Sequence, residues 1–150
     1  MNMFLKLSPI VRYVTSPIVF TAARMEALAN HYIFEPLGLT SATARILILL
    51  KCHGAMNSSE ILEQISGTKS NISQRIRLLE NKKMIKRLNN NHADRRIIKL
   101  EITKNGENML EKIIVQFKKH SLVLEKHFKA EEIEANYKFF NKINKILDNF

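Results

Sequence analysis

Between Thr68 and Arg77 the run TKSNISQRIR sets hydroxyl, amide and guanidinium side chains close together. Asn71 and Gln74 each carry a donor beside an acceptor, the pattern that pairs with the N6 and N7 edge of adenine. Arg75 and Arg77 carry the fork that fits O6 and N7 of guanine. Ser70 and Ser73 add hydroxyls that suit bases or phosphates. Around Thr68, Lys69 and Ser70, the amides of a helix N-terminus can hold a phosphate. Further on, Asp94-Arg95-Arg96 places two arginines beside a carboxylate. An arginine on a projecting loop suits a narrow, negative minor groove, and Asp94 can brace the pair. Lys86, like Lys69, Lys82, Arg87, Lys99 and Lys104, suits phosphate contact, which positions without reading sequence. These groups hold a polyanion; they do not make or break bonds.

The charge is concentrated in the same stretch. The chain of 150 residues has 24 Lys+Arg against 14 Asp+Glu, a net charge of +10. Residues 67–104 hold eleven basic and three acidic side chains, so 38 residues carry +8 of it. The segments before and after are close to neutral. A solvated basic face would give the same total, but concentration in one segment points to a binding footprint.

Other chemistry is poorly served. Cys52-His53 are adjacent, and His120 and His127 lie seven apart. Neither spacing gathers the ligands of a structural zinc. No nucleophile–base constellation, phosphate loop or dinucleotide fingerprint is present. The expectation is a protein that is not an enzyme, with no metal and no cofactor. One cysteine rules out an internal disulfide framework, and Cys52 reads as a buried small residue. Residues 13–23 are uncharged and faintly resemble a signal sequence, but Pro17 and the hydroxyls interrupt them. The expected location is the cytoplasm, with no membrane partner.

The elements that must position these residues are mostly helical. Ser8-Pro9 and Ser16-Pro17 each read as a cap followed by proline at the first helical position. The first main helix is expected over 17–34. It is apolar on more than one side, which in a small protein suggests a subunit interface. Thr40 caps a helix over 41–52, and Asn57 with Glu60 makes a capping box for a short third helix. After the turn at Ser66-Gly67, Thr68 caps a fourth helix through 83. Its Ile72, Ile76 and Leu79 repeat at helical spacing and face the core. Residues 84–88 and 96–102 read as strands joined by a polar tip, a β-hairpin. Thr103 caps a long fifth helix to about Phe128, with Leu110, Ile113, Ile114, Phe117, Leu124 and Phe128 inward. A sixth carries Ile133, Tyr137, Phe140, Ile143 and Leu147 in a stripe that wants a partner. The fold class is mainly α with a small β-hairpin wing.

Three stretches of this chain resemble the MarR family of bacterial transcription regulators. They are LGLTSATARILILL (37–50), SSEILEQISGTKSNISQRIRLLENKKMIKR (58–87) and ADRRIIKLEITKNGENML (93–110). The most specific piece is Asp94-Arg95-Arg96 followed by Leu100-Glu101-Ile102-Thr103 and Gly106. The resemblance implies a single domain over 1–150. In it a winged helix-turn-helix (39–103) is embedded in a helical dimerisation frame (1–38 and 104–150). It implies a homodimer and a partner of double-stranded DNA, with the fourth helix in the major groove. Arg96 at the wing would enter the minor groove. Ile18, Ala22, Leu124, Phe128 and the stripe of the sixth helix would form the dimer interface. It also implies a possible small-molecule effector where winged helix meets frame. Met25, Tyr32, Arg45 and Met109 are candidate lining residues there.

The sequence departs from the family pattern in places. Thr43 stands where a glutamine is common, Gly67 where a hydrophobic residue is usual, and Lys83 where a glycine is usual. The first sixteen residues have no clear match. Two rival readings fit the same basic segment: nonspecific or architectural nucleic-acid binding, and a winged helix that meets proteins instead of DNA.

Overall fold

The computed structural model describes residue 10 and residues 14–65, 67–88 and 98–149. Among them the order is α1 (Ser16–Ala29), α2 (Ser41–His53), α3 (Ser58–Gln64), α4 (Lys69–Asn81), β1 (Ile85–Leu88), β2 (Lys99–Ile102), α5 (Lys104–Glu125) and α6 (Ala130–Leu147). The chain divides into two compact units, Met1–Ile113 and Ile114–Phe150. The division falls inside α5.

The first helix departs from the single run expected to residue 34. α1 ends at Ala29, a wider π-helical turn spans Asn30–Phe34, and a 3₁₀ turn spans Glu35–Leu37. Pro36 has no N–H to extend an α-helical ladder. Asn30, at the change, turns its side chain to the next helix: its Oδ1 accepts the Ser41 N–H at 2.7 Å. Gly38, at φ +68, then reverses the chain into α2, a conformation that favours glycine.

α2 starts with a reciprocal cap. Thr40 Oγ1 accepts from the Thr43 N–H at 3.2 Å, and Thr43 Oγ1 accepts from the Thr40 N–H at 2.9 Å. Thr43 thus does the local work of a capping-box Glu or Gln. α3 starts with the Asn57–Glu60 box expected from sequence.

The core of the first unit gathers Ile46, Leu47 and Leu50 of α2, Ile61 of α3, and Ile72, Ile76 and Leu79 of α4. Met84, Ile85, Leu100 and Ile113 join it from the hairpin and α5. Each such side chain contributes about 1.5–3 kcal/mol of burial. Cys52, expected inside, is exposed, because α2 turns Ile46, Leu47 and Leu50 inward and Cys52 lies off that stripe.

The hairpin is antiparallel, pairing Ile85 with Ile102 and Arg87 with Leu100. Met56 adds a bridge to the outer edge of β2: the Leu100 N–H donates to its carbonyl at 2.7 Å. The expected strands were longer than those seen; residues 89–97 lie outside the described residues.

The second unit is the rest of α5 with α6. The Lys129 N–H donates to Glu132 Oε2 at 2.8 Å at the start of α6. Its apolar side chains lie open: Ile133, Tyr137, Phe140 and Leu147 are all exposed. Ile114, Phe117 and Phe128, expected to face inward, are exposed as well. No single helix among the described residues is long and apolar enough to cross a membrane.

Candidate nucleic-acid interface

α4 carries the interface, and its sequence explains its orientation. Ile72, Ile76 and Leu79 are buried, so the residues half a turn away must face outward. Ser70, Gln74, Arg77 and Asn81 follow one another at spacings of four, three and four. That is one ridge of a helix, and all four are exposed. Asn81 was missed by the sequence reading, although this spacing would have found it.

The helix begins at a well-formed turn. Gly67 has φ +150, where a side chain is strained. Thr68 then caps α4, its Oγ1 accepting from the Asn71 N–H at 3.2 Å. Thr68, Lys69, Ser70 and Asn71 are exposed around that N-terminus. The Ser73 hydroxyl donates back to the Lys69 carbonyl at 2.9 Å, so its proton is used within the helix.

The two arginines of α4 differ. Arg77 is exposed on the outward ridge and makes no ion pair among the described residues. Arg75 is half-buried on the shoulder of the apolar stripe. It borders a cleft shared with Thr40–Thr43 of α2. Its Nη1 is shielded from solvent with no hydrogen-bond partner, and a Cβ on Gly67 would stand 3.6 Å from that nitrogen.

The cations at the base of the hairpin are held in place. Arg87 forks onto Glu80, Nε to Oε1 at 2.5 Å and Nη2 to Oε2 at 3.2 Å. This two-point bond ties the end of α4 to β1 and raises the already high pKa of Arg87. Lys86 pairs with Glu101 at 3.0 Å across the hairpin. Asp94, Arg95 and Arg96 lie outside the described residues.

The joint between α4, β1 and α5 is tightly built. α4 closes in a Schellman motif: the Met84 N–H reaches the Leu79 carbonyl at 2.9 Å and the Lys83 N–H the Glu80 carbonyl at 2.8 Å. Lys83 takes the left-handed position at φ 55. The first turn of α5 locks onto this loop. Thr103 Oγ1 donates to the Lys83 carbonyl at 2.7 Å, and Asn105 Nδ2 to the Lys82 carbonyl at 3.0 Å. Thr103 Oγ1 also accepts the Gly106 N–H at 3.2 Å. A Cβ on Gly106 would overlap the Met84 carbonyl oxygen, so only glycine lets α5 come this close.

The four effector candidates are placed differently in the single chain. Met25 and Tyr32 are exposed, at 56% and 54%. Arg45 pairs with Glu26 at 3.3 Å, and the same carboxylate accepts the Ser41 hydroxyl at 2.6 Å. Met109 packs against the core. A cleft of about 430 Å³ lies elsewhere, between Asn57–Ser59, Ser73, Arg77 and Arg87. Of the interface candidates, Ile18 and Ile143 are half-buried and Ala22 exposed; the Leu124 side chain lies outside the described set. No group of three or more His, Cys, Asp or Glu among the described residues could hold a metal ion.

The chain is similar to known proteins. The MarR family model matches residues 39–98. The HTH-type transcriptional repressor MdtR of Bacillus subtilis is 35% identical over 80 residues, which cover 53% of this chain and 51% of that protein. The chain thus spans about half the length of the curated relative it matches. A MarR mutant from E. coli, solved with operator DNA, superposes with a TM-score of 0.76 at 20% identity, covering 95% of this chain and 99% of that one. The S. aureus MepR–DNA complex gives 0.71 at 21%, covering 89% and 97%. YusO from Bacillus subtilis gives 0.63 at 25%, covering 88% and 95%. The residues matched by the MarR family model take in α2, α3, α4 and β1, and the chain is similar in fold to these MarR-type structures.

Proposed function

We propose that the chain is a sequence-specific, DNA-binding transcription regulator, a homodimeric repressor that works in the cytoplasm. The observation that carries this reading is the outward ridge of α4. Ser70, Gln74, Arg77 and Asn81 stand exposed opposite a buried stripe, inside the segment holding most of the net charge. A helix so presented lies in the major groove with its first turns toward base edges. Thr68, Lys69, Ser70 and Asn71 supply phosphate and base contacts at its start. Residues 89–96, with Arg95 and Arg96, are assigned to the adjoining minor groove. Lys86 and Arg87 first have to exchange their carboxylate partners for phosphates.

The exposed stripe of α6 supports the homodimer: Ile133, Tyr137, Phe140 and Leu147 form an apolar face that water disfavours. Residues 1–38 and 104–150 of two copies make the frame. Two α4 helices then read a near-palindrome with half-sites about ten base pairs apart, or a multiple of that. An effector that binds one spacing of the two helices more tightly shifts DNA affinity; Met25, Tyr32, Arg45 and Met109 belong to that site only in the dimer. The named role of MdtR as a repressor, and the DNA bound to the E. coli and S. aureus proteins, support the reading.

The test is selection of bound duplexes from a random pool at two salt concentrations. A palindrome whose affinity falls steeply with salt is the expected result. Equal affinity for all duplexes would favour architectural binding, and no binding at either salt would favour a protein partner.

A further inference from the structure

The two arginines of α4 are not equivalent, and the difference bears on which bases the helix selects. We infer that, in the major groove, each half-site is an A·T-rich run with one fixed G·C pair, whose guanine is read by Arg77. This rests on the DNA-reading role proposed above and narrows it to a class of operator.

The side chains that reach a base edge are those on the outward ridge and its first-turn flank. Four of them, Ser70, Asn71, Gln74 and Asn81, are hydroxyls or amides. Amides pair two-point with adenine, whereas a two-point bond to guanine needs a guanidinium or an ammonium. Arg75 does not supply it: its guanidinium is folded toward Gly67, with Nη1 shielded. Arg87 has its fork closed on Glu80. Lys69 stands three residues before Ile72 and shares the side of the buried stripe, which turns it to the backbone. Among the described residues, Arg77 remains as the exposed guanidinium on the ridge, one turn after Gln74.

Full-length wild type, Arg77→Gln and Arg75→Gln are each put through selection from a random duplex pool, with thermal melts to check folding. Wild type is expected to return half-sites mostly of A·T pairs with one invariant guanine. Arg77→Gln should change that position alone, toward adenine. Its affinity for the wild-type duplex should fall roughly tenfold to a hundredfold. Arg75→Gln should keep the same preference, with affinity within about twofold. Half-sites rich in G·C, or a guanine erased by Arg75→Gln and kept by Arg77→Gln, would overturn the inference and leave the regulator reading intact. A pool without any preferred sequence would overturn both. Should Arg75→Gln unfold, Arg77→Gln still decides, because that side chain is exposed and makes no ion pair among the described residues.

Discussion

α4 and α6 carry the same kind of pattern and meet opposite fates. Each repeats large apolar residues at helical spacing. In α4, Ile72, Ile76 and Leu79 are 1%, 4% and 0% exposed. In α6, Ile133, Tyr137 and Phe140 are 52%, 68% and 45% exposed. Periodicity therefore tells which face of a helix wants cover, but not which chain provides it. For α4 the cover comes from its own unit, so its polar ridge is the free face. For α6 the apolar stripe itself is free, and a second copy is the cover proposed for it.

The largest expected effect separates these two fates. Ile76→Ala leaves a hole in the core and should lower stability by about 2–5 kcal/mol at every protein concentration, read from urea unfolding. Phe140→Ala removes an aromatic ring from an open face. It should leave the dilute single chain nearly as stable and act instead on association, shifting the dimer–monomer balance in sedimentation velocity. Stability that depends on protein concentration in wild type, and loses that dependence in Phe140→Ala, would sharpen the contrast. An equal, concentration-independent loss in both variants would break it.

Much of α4 was legible in the sequence because its information is local. A cap at Thr68, a stripe at 72, 76 and 79 and polar residues between them fix the helix and its facing without knowledge of the rest. Arg75 was not legible. It is withdrawn by the turn at Gly67 and the start of α2, which meet it only in the folded unit. The Glu80–Arg87 fork crosses from helix to strand and has no periodic signal. Cys52 was misread for the same reason: a small apolar residue on an apolar helix is placed by a stripe boundary that shifts by one position. Gly106 was legible as part of a family motif, but its cause, the Met84 carbonyl, appears only when β1 and α5 are brought together.

A middle-sized effect tests that cause. If α5 needs glycine to approach β1, Gly106→Ala must push the helix off the Met84 carbonyl and the Ile102 side chain. Overpacking of this kind costs about 1–3 kcal/mol. The loss should appear in thermal melts together with weaker protection of the Thr103 and Gly106 amides in hydrogen exchange. The same alanine at Ser70, on the outward ridge, should change stability by no more than about 0.5 kcal/mol. A harmless Gly106→Ala would mean that the first turn of α5 is free to shift against the loop that ends α4.

The smallest effect has the opposite sign. Lys83 sits at φ 55 in the C′ position of the Schellman motif that ends α4, where its Cβ crowds the following carbonyl. A left-handed non-glycine residue costs about 1–2 kcal/mol. Glycine there escapes that cost but gives up about 0.5–1 kcal/mol through the greater freedom of the unfolded chain. The difference favours Lys83→Gly by about 0.5–1 kcal/mol, measurable as a higher urea midpoint with unchanged slope. Lys83→Ala keeps the Cβ and should bring no gain, which separates backbone relief from the removal of a positive charge. If alanine stabilises as much as glycine, repulsion among the clustered cations of residues 82–87 is the cause. The closing turn of α4 would then be under electrostatic strain, relieved when phosphates arrive.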